Sequence, residues 1–173
     1  MQEVLVVIDM QNDFIDGALG SKEAVKIVPY VIDKVKNFKG RLVFTRDTHG
    51  NDYMEKMEGK FLPVPHCIKG SRGWEIQKDL EALRKGPAID KVTFGSKELP
   101  QRLAEINEEE EISKITFVGL DTDICVISNA LITKAFFPEI PIEVDAKGCA
   151  GVSPDSHKRA LEAMKVCHIV INE

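Results

Sequence analysis

The chain has no apolar run long enough to cross a bilayer. Its first such run, Val4–Ile8, is closed at once by Asp9, and no basic segment precedes it in MQEVLVVIDM, so the start does not read as a signal peptide. Cysteine is scarce: Cys67, Cys125, Cys149 and Cys167 stand far apart with no C-x-x-C pair, which speaks against a disulfide scaffold and for a reduced, cytoplasmic protein. A basic surplus is also missing. With 23 Lys and Arg against 28 Asp and Glu, the net charge of −5 offers no basic stripe for nucleic acid, and the acidic run Glu108–Glu111 reads as a solvated turn. Repeats, low-complexity tracts and linkers are absent as well. At 173 residues and 43% apolar, the sequence fits one domain spanning 1–173 whose core needs no metal or disulfide staple. A small-molecule partner is expected, nucleic acid and membrane are not, and a homo-oligomer is compatible with these features.

What is present is a recurring pattern. Short β-branched runs occur at Val4–Ile8, Leu42–Thr45, Ala88–Val92, Ile115–Val118, Ile142–Val144 and His168–Ile171, with helix-like stretches at 22–38, 97–107, 123–137 and 154–165 between several of them. Continuous apolar strands alternating with helices predict an α/β fold with a six-stranded parallel sheet covered on both faces. Ser153-Pro154 supplies an N-cap followed by a first-turn proline, and Ser96 marks another helix start. Residues 47–73 break the alternation with a long connection rich in Gly, Pro, His and acids, and ordered connections of that length usually serve function.

In an open parallel sheet, ligands bind beyond the carboxyl ends of the strands. Asp9 ends the first strand, Asp47 and His49 follow the second, Lys91 ends the third, and Cys125 lies just past the fourth, in GLDTDICV. Singly these residues have ordinary readings: a strand-end acceptor, a solvated lysine, a small buried thiol. Together they are what an activated thiol nucleophile requires. Asp9 can accept the thiol proton, Lys91 can stabilise the charge that results, and a helix starting near Thr122 places Cys125 in its first turn. Gly119 lets the chain reverse tightly from strand to helix, leaving backbone N–H groups free for an oxyanion. The pair Asp47 and His49, with His66 in the same connection, suits zinc, iron or manganese, although loop histidines without a metal are a standing alternative.

Six segments in this order, VIDMQNDF, TRDTH, PHCIKGSRGW, DKVTFGS, GLDTDICV and DAKGCAGV, make the chain resemble the isochorismatase-like cysteine hydrolases, and among them the nicotinamidases. The resemblance implies a Rossmann-like, doubly wound, six-stranded sheet and a catalytic triad of Asp9, Lys91 and Cys125. It also implies a cis peptide at Leu120–Asp121, an oxyanion hole from the N–H groups of Asp121 and Cys125, and one divalent metal, zinc foremost with iron or manganese as alternatives. The metal would be held by Asp47, His49, His66 and a fourth ligand between the histidines, for which Glu58 is taken, Glu55 is the alternative and Asp52 is third. Phe14 matches one aromatic wall of the nicotinamide pocket. The second aromatic position is Pro63 here, with Phe61 as its replacement. Asp121 departs from the pattern, since nicotinamidases carry a small apolar residue there. The implied activity is hydrolysis of an amide, nicotinamide to nicotinate and ammonia, through a Cys125 thioester. The alternative is a metal-free relative acting on another amide, a carbamoyl compound or a vinyl ether.

Overall fold

Residues Gln2–Ile8 form strand β1, and their apolar side chains serve two cores. Val4, Val6 and Ile8 pack with Leu99, Leu103 and Phe117 on one face. Leu5 and Val7 pack with Val31, Phe44 and Leu80 on the other. Successive strand residues point to opposite faces, so a run with no polar residue can only sit in a sheet covered on both sides. All five are fully buried, each contributing about 1.5–3 kcal/mol by leaving water.

The computed structural model describes residues 1–173. The remaining strands are β2 (Arg41–Asp47), β3 (Ile89–Lys91), β4 (Ile112–Leu120), β5 (Ile142–Ala150) and β6 (Val170–Asn172), giving one sheet of six strands in the order β3-β2-β1-β4-β5-β6. Every pairing is parallel, and all six expected strands are present. The order reverses at β1, whose neighbours are β2 and β4, and that is where a doubly wound sheet opens a crevice.

The helices are α1 (Asn12–Ile15), α2 (Lys22–Asn37), α3 (Met57–Phe61), α4 (Lys78–Leu83), α5 (Glu98–Glu109), α6 (Ile127–Phe136) and α7 (Pro154–Val166). Apolar residues of α5, α6 and α7 cover one face of the sheet, and those of α2 and α4 cover the other. The Ser96 hydroxyl accepts the Leu99 N–H at 3.1 Å ahead of α5. Ser153 starts α7 with a reciprocal capping box whose partner is Ser156. No helix is long and apolar enough to cross a membrane. The connection 47–73 is less irregular than its composition suggests, holding a 3-10 turn at Tyr53–Glu55 and the short α3.

Candidate active site

Three strand ends meet at the crevice. Asp9 follows β1 with φ 46°, a left-handed conformation that turns the chain sharply as it leaves the sheet. Its Oδ1 accepts the Thr45 hydroxyl at 2.7 Å, and its Oδ2 lies 2.6 Å from the Lys91 ammonium at the end of β3. No donor other than this ammonium reaches Oδ2, which leaves that oxygen a second lone pair. Lys91 Nζ also contacts Cys125 Sγ at 3.4 Å, the Thr93 carbonyl at 3.0 Å and Asp47 Oδ1 at 3.4 Å. Carboxylate, ammonium and thiol are all buried.

The thiol reaches this position through the turn after β4. Gly119 has φ 124°, and a Cβ there would come within 2.0 Å of the Ile8 carbonyl oxygen, so only glycine lets β4 run this close to β1 and still turn. The Leu120–Asp121 peptide is cis, as the resemblance implies. Thr122–Val126 then winds as a single wide, π-type turn that runs into α6. The Asn129 side chain clamps that turn, donating to the Cys125 carbonyl at 2.8 Å and the Phe94 carbonyl at 3.0 Å while accepting the Ser96 N–H. His157 Nδ1 and the Thr122 hydroxyl share a hydrogen bond of 2.7 Å, which gives His157 a supporting role from α7. The Asp121 N–H has no acceptor within the protein.

Burial and then Asp9 push the Cys125 thiol well above its usual range, and Lys91 offsets this only in part. Desolvation of a sulfur anion and the neighbouring carboxylate work against the thiolate, and the Lys91 ammonium works for it. The Asp9 carboxyl is raised by burial and held down in part by Lys91. A buried thiol beside a carboxylate of raised basicity suits proton transfer coupled to attack.

Asp47 joins this group to a second one. Its Oδ2 lies 2.8 Å from His49 Nε2 and 3.4 Å from His66 Nε2, and Glu58 Oε1 lies 3.6 Å and 3.5 Å from the same two nitrogens. One ligand atom from each of Asp47, His49, Glu58 and His66 falls within 4.8 Å of all the others. His66 Nδ1 donates to the Val64 carbonyl at 2.8 Å, which fixes the tautomer and leaves Nε2 facing the cluster. Burial would lower the His66 pKa, but Asp47 and Glu58 overcome it and lift it to about 10. Two carboxylates and two imidazoles thus converge on a point that calls for positive charge, and the donor set fits one divalent cation. Glu55 and Asp52 are exposed, and Asp52 is paired with Lys56, so Glu58 is the acid that completes the set.

Both groups open on one cavity of about 330 Å³, whose wall includes Cys125, Asp47, Glu58 and His66. Phe14 lines it, with its ring centroid 5.5 Å from that of His66. Phe61 does not: it ends α3 at 84% exposure, and Leu62 takes the wall position. Glu58, in the first turn of this five-residue helix, reaches the cluster, whereas Phe61 is its last residue and its side chain leaves the cavity for solvent. Phe94 closes the opposite side.

Gln11, Asp13 and Tyr53 support the site without having been assigned a role from the sequence. The Gln11 amide is fully buried, donating to the Asp47 and Trp74 carbonyls at 2.8 Å each and accepting the Asp47 N–H at 2.7 Å, so it ties β1, β2 and the returning loop together. Asp13 accepts the Cys67 N–H at 2.7 Å and so fixes the backbone next to His66. Buried Tyr53 packs edge-on against both histidines, and its hydroxyl holds the Leu62 carbonyl at 2.8 Å. Trp74 anchors the loop, donating to the Thr48 hydroxyl at 2.9 Å with the Arg46 guanidinium stacked 3.9 Å above its ring.

The chain resembles proteins of known chemistry along nearly its whole length. A nicotinamidase of Schizosaccharomyces pombe is 24% identical over 209 residues, covering 98% of this chain and 92% of that protein. The zinc complex of a pyrazinamidase from Pyrococcus horikoshii superposes with a TM-score of 0.81 at 27% identity, covering 100% of this chain and 99% of that one. The nicotinamidase/pyrazinamidase of Bacillus subtilis gives 0.83 at 25% identity with both chains fully covered. The isochorismatase domain model matches residues 3–172, and the chain belongs to the isochorismatase family.

Proposed function

We propose that this protein is a metal-containing cysteine amidase that converts nicotinamide to nicotinate and ammonia. The observation that carries the reading is the shared cavity: the thiol and three residues of the metal-ligand set, Asp47, Glu58 and His66, line the same walls, and His49 completes the set behind them. A thiol hydrolase with no use for a metal has no need of two imidazoles and two carboxylates focused beside its nucleophile. The similarity to nicotinamidases and pyrazinamidases supports the same substrate class.

Asp47, His49, Glu58 and His66 would hold the cation, with zinc favoured by the imidazole and carboxylate donors. When bound, it supplies an open coordination position suited to a pyridine nitrogen. Phe14 and Phe94 flank the ring, leaving the amide carbon to face Cys125.

The thiol proton passes to the free lone pair of Asp9 Oδ2 as the sulfur attacks the carbonyl carbon. The carbonyl π pair moves onto oxygen, where the N–H groups of Asp121 and Cys125 receive it. When the pair returns, the C–N bond breaks, and Asp9 gives its proton to the departing nitrogen, releasing ammonia. Water then attacks the thioester, losing a proton to Asp9. The C–S bond breaks, and the thiol recovers its proton as the carboxylic acid leaves. Lys91 holds Asp9 and Cys125 in register and limits the cost of the buried negative charge.

Ammonia release measured across nicotinamide, pyrazinamide and carbamoyl compounds tests the proposal. Turnover of the first two, lost on dialysis against chelator and regained with zinc, is expected. Full turnover of a carbamoyl compound by metal-free protein would transfer the assignment to the metal-free branch of the family.

A further inference from the structure

The carboxyl of Asp121 is the one acid at the site without a partner. Asp9 has Lys91 and Thr45, Asp47 and Glu58 face the two histidines, and Asp123 accepts the Val152 N–H at 3.1 Å. Asp121 lines the cavity beside Cys125, and no protein hydrogen bond or ion pair reaches its side chain. No lysine or arginine lines that cavity. A half-buried carboxylate with no side chain paired to it is costly, and in this position it also opposes the charge that forms on the substrate oxygen. Burial first, then Asp123 and Asp9, lift its pKa to about 7, with His66 pulling the other way. Apart from His66 and the proposed metal position, nothing cationic faces this carboxyl, and no side chain pairs with it directly.

We infer that Asp121 is a specificity-determining residue that selects aromatic amides bearing a protonated amine on the ring, pairing with it across the cavity and disfavouring amides that carry an acid there. The inference rests on the proposed amidase reading and goes further in naming the substrate class. An ammonium beside Asp121 would remove the penalty on binding and the opposition to the oxyanion together. A second carboxylate in the same place would double both.

The test compares nicotinamides carrying an aminomethyl, a methyl or a carboxymethyl group, each at every free ring position, assayed at pH 8. For at least one position, kcat/KM for the aminomethyl compound should exceed that of its methyl counterpart by on the order of tenfold, as a charge-assisted contact allows. The advantage should vanish in both Asp121→Asn and Asp121→Ala, and the carboxymethyl isomers should be the poorest substrates. A second readout needs no turnover: protection of Cys125 from iodoacetamide, followed by peptide mapping, reports binding of the same compounds. Preferential protection by an aminomethyl isomer in the wild type, lost in Asp121→Asn, supports the inference even if nicotinamide is not hydrolysed, a result that would overturn only the amidase reading. Equal protection by aminomethyl and methyl isomers at every position, or a preference that survives in Asp121→Asn, overturns the inference.

Discussion

Lys91→Met removes the ammonium while keeping most of the side-chain volume, which isolates its charge. In the structure that charge sits between two buried carboxylates, 2.6 Å from Asp9 and 3.4 Å from Asp47, and Lys91 is itself 2% exposed. Removing one member of a buried ion pair strands its partner, at a cost of about 3–5 kcal/mol. For a chain of this length that corresponds to a fall in Tm of roughly 6–20 °C. The sign of the pH dependence follows from Asp9. Its pKa is already raised in the folded state by burial, and Lys91 is what holds it down. Without the ammonium it rises further, so the folded variant binds a proton that the unfolded chain, near 3.9, does not hold until far lower pH. Stability of the variant therefore increases as pH falls from 8 towards 5, and the gap to wild type narrows. Urea unfolding at both pH values, with linear extrapolation, measures this. A loss below about 1 kcal/mol at pH 8, or an equal loss at the two pH values, would refute the claim that Lys91 is the counter-charge of a buried carboxylate pair.

Gly119→Ala should prevent folding or cost several kcal/mol, on the order of the larger values for single substitutions, because the new Cβ would meet the Ile8 carbonyl oxygen at a φ of 124°; circular dichroism and thermal melts check it. Glu58→Gln should lower zinc stoichiometry in protein purified without chelator, whereas Glu55→Gln should leave it at wild type, read by elemental analysis. Asp121→Asn should stabilise the protein at pH 8 by up to about 4 kcal/mol, since a carboxyl whose folded pKa is near 7 loses stability as pH rises from the unfolded value of 3.8. The same variant should give little gain near pH 4, where the wild-type carboxyl is protonated in the folded state and half so in the unfolded one, and urea titrations at the two pH values compare them.

Strand identity and the convergence at the sheet edge were legible because both follow from local patterns. Val4–Ile8 has no polar residue to face water, so its double burial was implied by composition alone, and the polar residues after Ile8, Thr45, Asp90 and Val118 had to fall on one edge once the sheet was parallel. The clustering of Asp47, His49 and His66 was legible, with Glu58 separated from Glu55 only by how the 3-10 turn and α3 place them. Phe61 was misplaced because it closes a helix of one turn, and sequence does not fix where such a short helix ends and its last side chain turns away. The upward push on the Cys125 thiol was not legible, because proximity to Lys91 is implied by the motif, whereas the depth of burial that opposes it is a property of the packed molecule. Gln11 and Asp13 went unassigned because their partners, Asp47, Trp74 and Cys67, are distant in the chain.

The central claim is that Cys125 attacks a pyridine amide held in the metal-lined cavity. Zinc-loaded protein mixed with nicotinamide, quenched in acid during turnover and mapped by peptide mass, should carry a nicotinoyl group on Cys125 and on no other cysteine, including exposed Cys167. Ammonia released at the wild-type rate by Cys125→Ala, or an acyl group found elsewhere, would contradict it.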